Sequence, residues 1–181
     1  MRIISGKHRS RTIKMVDIDT TRETTDKVRG AIFNLISFYP IKGICLDLFS
    51  GSGAMGLEAL SRGCSKAYFN DLGRKAYNIT KENCKALGYS DEVVITNLDY
   101  KKALQLYKEP FDIVFLDPPY KLDCCNEIIV YIDKNNLLNE DGFIICEVDK
   151  GTVINPTAKF EIYKEKNYGI RNVIILKYKT Q

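Results

Sequence analysis

The sequence predicts an α/β fold built on a mostly parallel sheet of seven strands, with helices on both faces and one antiparallel strand. Up to about residue 150, short runs rich in β-branched and aromatic residues alternate with stretches of helical periodicity, a pattern typical of a parallel sheet joined by crossover helices. Two further strand-like runs, Phe160–Glu165 and Asn172–Tyr178, follow and can close the sheet as a hairpin.

The length and charge of the chain limit the classes of protein to consider. Its 181 residues suit one domain with its own core, so residues 1–181 are interpreted as a single unit. The net charge is a modest +4, and no apolar run is long enough to cross a membrane. The opening residues lack the apolar run and cleavage site of a signal peptide. We therefore expect a cytoplasmic protein, and we take it to be a monomer.

The cysteines and the single histidine argue against a metal centre. No two cysteines have C-x-x-C spacing, and most lie in apolar segments, so we interpret them as reduced core residues. They are Cys45, Cys64, Cys84, Cys124, Cys125 and Cys146. With only His8, a histidine triad or a multi-histidine metal site is not expected, and we predict no metal.

The first part of the chain is basic. Residues 1–14 contain no acidic side chain but carry Arg2, Lys7, Arg9, Arg11 and Lys14. Short β-type runs at residues 2–4 and 12–16 predict a small hairpin or a loose arm. A polyanionic partner such as nucleic acid explains this charge. A second basic cluster in the last quarter of the chain is explained equally well as a solvated surface. It consists of Lys159, Lys164, Lys166, Arg171, Lys177 and Lys179.

A first helix is predicted from about Asp26 to Tyr39, because apolar residues recur there at helical spacing and Pro40 ends the pattern. Asp26 suits the first turn, where the helix dipole favours negative charge. Arg22 and Arg29 lie near the start of the helix and are expected to face the basic arm.

A glycine-rich loop follows the first strand, Gly43–Phe49. Gly51, Gly53 and Gly56 form a G-x-G-x-x-G pattern between this strand and the next helix. The first glycine permits a tight turn, the second lets the backbone approach a ligand, and the third lets the helix pack on the strand. The pattern predicts a cofactor-binding loop.

Two acids near the loop indicate which cofactor it binds. The strand Lys66–Asn70 ends in Asp71, at the position of a ribose-binding acid. The glycines alone would equally suit a nicotinamide dinucleotide. Asp47, directly before the loop, would repel a pyrophosphate but suits the ammonium and sulfonium of S-adenosylmethionine (SAM). The alternative role for Asp47 is to cap the turn by accepting backbone N–H groups.

The next elements are a helix, Gly73–Leu87, and a third strand, Glu92–Asn97. Asp99 follows that strand. Its side chain can accept a hydrogen bond from the adenine amine of SAM, or cap the helix Tyr100–Lys108, and the two roles can coexist.

The fourth strand, Phe111–Leu116, delivers an acid, two prolines and an aromatic at its carboxyl end, where open α/β folds bind ligands. These residues are Asp117, Pro118, Pro119 and Tyr120. Neither proline can donate to a ladder and both fix φ at about −65°, so the tetrad is stiff. Its acceptors and flat ring fit a planar group that carries an NH2. A simple turn after a core strand is the alternative.

A helix from about Asp123 to Asn135 and a fifth strand, Gly142–Val148, complete the parallel part of the sheet. The two strands of the closing hairpin are joined by Lys166–Arg171.

Together these stretches resemble the RsmD family of small-subunit ribosomal RNA guanine-N2 methyltransferases over nearly the whole chain. The glycine loop and the tetrad mark SAM-dependent amino methyltransferases in general, whereas the basic opening and Thr24–Arg29 narrow the resemblance to this family. The matching stretches are Arg2–Gly6 with Arg9 and Arg11, Thr24–Arg29 with Phe33 and Asn34, Leu46–Gly53, Gly56–Gly63, Asp117–Tyr120 and Tyr168–Gly169. One departure is that Leu72 and Gly73 follow Asp71, where the family usually has a second acid.

The resemblance implies the class I, Rossmann-like SAM-methyltransferase fold and methyl transfer from SAM to the N2 amine of one guanine in 16S ribosomal RNA, either free or in a partly assembled small subunit. The implied cofactor-binding residues are Asp47, Phe49, Gly51, Ser52, Gly53, Asp71, Asp99 and Asp117. The implied catalytic residues are Asp117, Pro118, Pro119 and Tyr120, with the target base leaving its stack to lie on Tyr120. The implied RNA-binding residues are Arg2, Lys7, Arg9, Arg11, Arg22 and Arg29, mostly in a basic extension over residues 1–25.

Three alternatives are weighed against this hypothesis. An adenine-N6 or cytosine-N4 nucleic-acid methyltransferase would present the same amine to the same tetrad. An RNA-binding assembly factor with a vestigial SAM pocket is disfavoured by the intact Asp47, Gly51, Gly53 and Asp117. A nicotinamide-dependent oxidoreductase leaves the tetrad unexplained.

Overall fold

The computed structural model of the chain describes residues 1–16, 26–119 and 121–180. The helices in these ranges are α1 (Asp26–Leu35), α2 (Ala54–Arg62), α3 (Arg74–Ala86), α4 (Tyr100–Leu106) and α5 (Cys125–Lys134). The strands are β1 (Ile44–Asp47), β2 (Lys66–Asn70), β3 (Val93–Thr96), β4 (Phe111–Leu116), β5 (Leu138–Asp149), β6 (Phe160–Tyr168) and β7 (Arg171–Tyr178).

These strands form one sheet in the order β3-β2-β1-β4-β5-β7-β6. The first five strands pair in parallel. Strand β7 lies antiparallel between β5 and β6. The predicted mostly parallel sheet with one antiparallel strand is thereby confirmed. The strand order reverses between β1 and β4, and open α/β sheets bind ligands in the crevice at such a point.

Helices cover both faces of the sheet, as predicted. Buried residues of α1, α2 and α3 belong to one hydrophobic cluster, and those of α4 and α5 belong to a second. Strand β4 shows the two-residue period that separates them: Ile113 and Phe115 face the first cluster, and Val114 and Leu116 face the second. The central strands are therefore apolar on both sides.

Helix α1 is shorter than predicted, ending at Leu35 rather than Tyr39. The N–H and the hydroxyl of Ser37 both donate to the carbonyl of Asn34, and Tyr39 N–H donates to the carbonyl of Ile36. These bonds span three residues instead of four, so the chain leaves the α-helix in a tighter turn before the proline.

Strands β5 and β6 are longer than predicted. Strand β5 begins at Leu138, which pairs with Phe111 before an irregularity in the register. Strand β6 continues to Tyr168, which pairs with Arg171 at the tip of the closing hairpin. Polar residues extend both strands, and hydrophobic periodicity does not signal them.

The basic N-terminal segment is a hairpin that packs on the domain, and the loose-arm alternative is wrong for residues 1–16. Arg2 and Thr12 form an antiparallel bridge. Ile3 and Ile13 are buried in the first hydrophobic cluster. The N–H of Lys7 donates to a carbonyl of α2 at 2.7 Å. The hairpin is thus held by both core packing and backbone hydrogen bonds.

All six cysteines are buried and unpaired, as predicted. None of the helices in the described ranges has the length and apolar character needed to cross a membrane.

Candidate active site

Three predicted acids meet at the carboxyl edge of the sheet. Asp47 ends β1 and pairs in register with Phe69 of β2 on one side and Phe115 of β4 on the other. Asp71 lies two residues beyond Phe69, and Asp117 lies two residues beyond Phe115. Adjacent parallel strands therefore bring Asp71, Asp47 and Asp117 to one edge, beside the crevice where the strand order reverses.

The glycine loop is held in shape by hydrogen bonds to its own main chain. Gly51 and Gly53 have φ angles of 54° and 81°, in the left-handed region that glycine adopts without strain. The N–H of Gly51 donates to Asp71 at 2.9 Å, and the carbonyl of Gly51 accepts from the Thr80 hydroxyl at 3.0 Å. The loop is preformed for close approach of a ligand.

Helix α2 begins directly after this loop and packs tightly on β2. A Cβ added at Gly56 would lie 2.3 Å from the ring of Phe69, so a larger residue would push the helix away from the sheet. The packing role predicted for Gly56 is confirmed. Ser52 is buried, and its carbonyl accepts from the buried amide of Asn83 at 2.9 Å.

Asp47 has the capping role that was one of its two interpretations. It is 4% exposed, and its Oδ2 accepts from the N–H of Gly56 at 3.1 Å. Burial raises the pKa of Asp47 to about 7, the Gly56 N–H opposes the rise, and repulsion from Asp71 adds to it. A cation beside Asp47 would stabilise its ionised form. Its contact with a cofactor stays a prediction.

Two other acids that are predicted to bind the cofactor, Asp71 and Asp99, also bond to main-chain N–H groups. The two oxygens of Asp71 accept from Gly51 at 2.9 Å and from Gly73 at 2.8 Å. Asp99 accepts from the N–H of Lys101 at 2.9 Å and so caps α4, as predicted. Contacts of Asp71 with ribose and of Asp99 with adenine stay predictions.

Phe49 and Asn70 lie near the predicted cofactor contacts at the carboxyl edge of the sheet. Phe49, a predicted cofactor contact, packs against Tyr100 with ring centroids 5.6 Å apart. Asn70 is buried and joins the loops after β1 and β3, because its side-chain amide donates to the carbonyls of Leu48 and Leu98. Sequence reasoning did not single out Asn70, although a polar residue ending an apolar strand is a usable signal.

Asp117, the acid of the tetrad after β4, forms an ion pair with Arg171, which the sequence analysis did not single out. Asp117 is 24% exposed, and its Oδ1 lies 3.1 Å from Nη2 of Arg171. Pro118 and Pro119 line a cavity of about 510 Å³ together with Arg171. The carbonyl of Pro119 accepts from the N–H of Leu122 at 2.8 Å, so the tetrad also makes a turn. Tyr120 lies outside the described residues.

Sequence reasoning had placed Arg171 in the C-terminal basic cluster. Its side chain is only 13% exposed and also contacts Glu147 at 3.3 Å and Asp149 at 3.1 Å. Elsewhere in that cluster, Lys159 pairs with Asp133 at 2.8 Å. The signal for Arg171 is weak: a single cation at the start of an apolar strand.

Four of the predicted RNA-binding residues are exposed on the N-terminal hairpin. They are Arg2, Lys7, Arg9 and Arg11. Arg2 and Arg9 line a surface cavity of about 370 Å³ with Lys27. Arg22 lies outside the described residues. Arg2 also lies 3.8 Å from Asp26, and Arg11 donates to the carbonyl of Ala86 at the end of α3. Contact of the exposed cations with RNA stays a prediction.

Arg29 is not one of these exposed cations, and its prediction as an RNA-binding residue is wrong. Its side chain is fully buried, with Nε 3.5 Å from Glu58 and Nη2 3.0 Å from Asp26. Glu58 is fully buried as well and accepts from the N–H groups of Ile4 and Ser5 at 2.8 and 3.1 Å. A buried guanidinium in an internal ion pair cannot reach a phosphate, so Arg29 instead fastens the hairpin to α1 and α2.

Nearly the whole chain matches known proteins. A family model described as Conserved hypothetical protein 95 matches residues 1–177. The Haemophilus influenzae protein named Ribosomal RNA small subunit methyltransferase D is 34% identical over 175 residues, which cover 94% of this chain and 90% of that protein. A Bacillus subtilis protein, named provisionally as the rRNA methyltransferase YlbH, is 39% identical over 181 residues and 98% of each chain.

The likeness extends to solved structures. The Escherichia coli protein yhhF, described provisionally as a methyltransferase, has a TM-score of 0.88 and 29% sequence identity to this chain. The superposition covers 100% of this chain and 99% of that protein, so the N-terminal hairpin and the closing β6–β7 hairpin are included in the likeness.

Proposed function

Since the chain belongs to the RsmD family, we propose that it transfers a methyl group from SAM to the exocyclic N2 amine of a guanine in 16S ribosomal RNA. Relatives named as ribosomal RNA small subunit methyltransferases support this class of reaction and substrate. The observation that carries the proposal is the position of Asp117–Pro119 at the end of β4, next to the glycine loop at the end of β1. The methyl donor and the amine would meet at one edge of the sheet.

The cofactor edge fits SAM. The donor set consists of carboxylates and main-chain groups, which suit an ammonium and a sulfonium but not a pyrophosphate. Asp47 is buried with its pKa raised to about 7, and a bound ammonium would offset its desolvation. A Cβ at Gly51 would meet nothing within 4 Å, so the loop leaves open space there. When bound, SAM supplies an electrophilic methyl group.

The tetrad residues would activate the amine of the target base for attack on the methyl group. The lone pair of a guanine N2 amine is conjugated with its ring, which makes the nitrogen a poor nucleophile. Asp117 and the Pro118 carbonyl would accept its two N–H bonds, which pushes electron density onto nitrogen and favours the pyramidal geometry required for attack. Proton loss after methylation needs no strong base, so positioning supplies most of the acceleration.

The cavity beside Asp117 supports guanine over the other amino bases. It is lined by Asp123, Glu147 and Asp149, and ionised carboxylates only accept hydrogen bonds. Guanine carries an N1–H donor next to its N2 amine, whereas adenine and cytosine carry a ring-nitrogen acceptor next to theirs. These carboxylates match the N1–H and N2 donors of guanine, and Arg171, which lines the same cavity, holds two of them, Glu147 and Asp149.

The exposed cations of the N-terminal hairpin would hold the RNA. Arg2, Lys7, Arg9 and Arg11 are exposed, and phosphate contacts by such residues give affinity and register without reading sequence. The base specificity would then come from the cavity beside Asp117.

The decisive experiment uses 16S RNA and small-subunit particles from cells that lack this protein. Both are incubated with the purified protein and SAM labelled on its methyl group, and the labelled nucleotide is mapped. We expect label on N2 of a single guanine. Label on an adenine or a cytosine would favour the alternative methyltransferases. Binding of RNA without any transfer to either substrate would favour the assembly factor.

A further inference from the structure

Arg171 is held firmly at the edge of the active site. It is the first residue of β7 and pairs in register with Asp149 of β5 on one side and Tyr168 of β6 on the other. Ladder pairing on both sides fixes its backbone, so the direction in which its side chain leaves the sheet is set by the fold.

The guanidinium joins three carboxylates among the described residues, one through each of its nitrogens. Nη2 lies 3.1 Å from Asp117, Nε lies 3.3 Å from Glu147, and Nη1 lies 3.1 Å from Asp149. The Arg171 and Glu147 side chains are only 13% and 6% exposed, so water screens the contact between them weakly, whereas the Asp149 side chain is 41% exposed. The contacts with Asp117 and Asp149 are charge-assisted hydrogen bonds, which are among the stronger ones in proteins, and the contact with Glu147 is an ion pair.

The geometry of this cluster requires an arginine. Three acids held within reach of one another repel unless a cation lies between them. The planar guanidinium presents donors in several fixed directions, whereas a lysine ammonium is a compact charge on a flexible stem. A lysine at this position would keep the charge without fixing the plane of each carboxylate.

Of the three acids, Asp117 is the one that belongs to the tetrad. Holding its Oδ1 fixes the plane of the carboxylate, and with it the direction of the Oδ2 lone pairs. Arg171 also lines the cavity of about 510 Å³ with Pro118 and Pro119. The cluster therefore connects the position of Asp117 to the wall of the space proposed for the target base.

We propose that Arg171 is a positioning residue for methyl transfer: it orients the Asp117 carboxylate toward the amine of the target base. This inference rests on the proposed function. Arg171 acts through Asp117, so its loss should slow the transfer step while binding of SAM, at the far side of the edge, persists. A merely structural role would lower SAM binding, thermal stability and rate together.

The test compares Arg171→Met, Arg171→Lys and the control Lys177→Met. Lys177 lies on the same strand and pairs with Glu161 at 3.6 Å, away from the tetrad. Single-turnover transfer is measured at saturating SAM and RNA, with SAM affinity measured by calorimetry. We expect a rate lower by about 100-fold in Arg171→Met and by about tenfold in Arg171→Lys, with SAM affinity within about threefold of wild type. The control should match wild type.

The outcomes separate this inference from the function on which it rests. If the wild-type protein transfers no methyl group, the proposed function fails before the variants are compared. If wild type is active and Arg171→Met has the same rate, the positioning role is overturned. It is also overturned if Arg171→Met loses SAM binding and rate in parallel, which indicates a merely structural role, or if Arg171→Lys keeps the wild-type rate, because charge alone then suffices.

Discussion

The two loops that form the candidate site are held in different ways. In the glycine loop, the acids Asp47 and Asp71 bond to main-chain N–H groups of nearby residues. At the end of β4, Asp117 bonds to the side chain of Arg171, which lies 54 residues further along the chain. Hydrogen bonds to the main chain shape the first region. The second region is a charge cluster whose members lie far apart in the sequence.

This difference predicts different kinds of failure. Backbone hydrogen bonds hold the shape of the glycine loop, so changes there should mainly alter cofactor affinity. The charge cluster fixes the direction of one carboxylate, so changes there should mainly alter the rate of transfer. Four variants, in order of decreasing expected effect, test this difference.

The largest effect is expected for Asp117→Ala, which removes the acceptor for the amine. Transfer should fall by about 1,000-fold or more, because the acceptor acts on the reacting atom itself. SAM affinity should stay within about threefold, because the other implied cofactor residues, among them Asp47 and Asp71, keep their hydrogen bonds to the glycine loop and helix α2. Rate and affinity are measured separately by single-turnover kinetics and calorimetry. Turnover at the wild-type rate would refute the role of Asp117.

Gly53→Ala tests the glycine loop, where a change should mainly alter cofactor affinity. Gly53 has φ 81°, and an added Cβ would lie 3.1 Å from the Thr80 side chain. Left-handed backbone costs a non-glycine residue about 1–2 kcal/mol, and the contact adds to this cost. Relief of this strain should change the shape of the loop where the cofactor is predicted to bind, so we expect SAM affinity to fall by about 30-fold.

The matched control for Gly53→Ala is Gly88→Ala. Gly88 has φ 79°, but nothing lies within 4 Å of its added Cβ. It should lose similar stability in thermal unfolding and keep its SAM affinity. Equal loss of affinity in both variants would show that strain in general, rather than the loop, is responsible.

Asp47→Asn should remove the part of the pH dependence of folding stability that Asp47 contributes. The folded-state pKa of Asp47 is raised from 3.8 to about 7, so the stability that this site contributes is present below about pH 4 and is lost as the pH rises through 7. Asp47→Asn should therefore gain stability relative to wild type over this range, measured by urea unfolding at several pH values.

The same titration affects the cofactor. An ammonium beside Asp47 favours the ionised form, so wild-type affinity for SAM should rise with pH up to about 7. In Asp47→Asn the affinity should be about tenfold lower at pH 8 and should not depend on pH over this range. A wild-type affinity that is constant between pH 5 and pH 8 would contradict the cofactor role of Asp47.

The smallest effect is expected for Arg9→Ala combined with Arg11→Ala, which should touch neither region. RNA affinity should fall, and the slope of its logarithm against the logarithm of salt concentration should decrease by about two. At saturating RNA, the transfer rate and the SAM affinity should match wild type. An unchanged salt dependence would exclude these two side chains as RNA contacts.

The sequence predicted the locally determined parts of the molecule. Hydrophobic periodicity placed the strands and helices, and the spacing of Gly51, Gly53 and Gly56 placed the loop between β1 and α2. The cap formed by Asp99 was also predictable, because capping depends on neighbours two residues away.

Long-range charge pairing could not be predicted in the same way. Arg29 looked like a surface cation because its buried partner, Glu58, lies in another helix. Arg171 looked like part of a basic cluster because its pairing with Asp117 depends on the register of the antiparallel strand. Neither pairing leaves a periodic pattern in the chain, and both appear only when the sheet is assembled.

The place of Arg171 in the chain also has a consequence for biosynthesis. Translation produces Asp117 and the strands β1 to β4 well before it produces β7. A nascent polypeptide with these strands already folded carries the glycine loop but lacks the guanidinium that holds Asp117. If Arg171 has the proposed positioning role, the newly made protein would reach its full rate of methyl transfer only after the β6–β7 hairpin has inserted into the sheet.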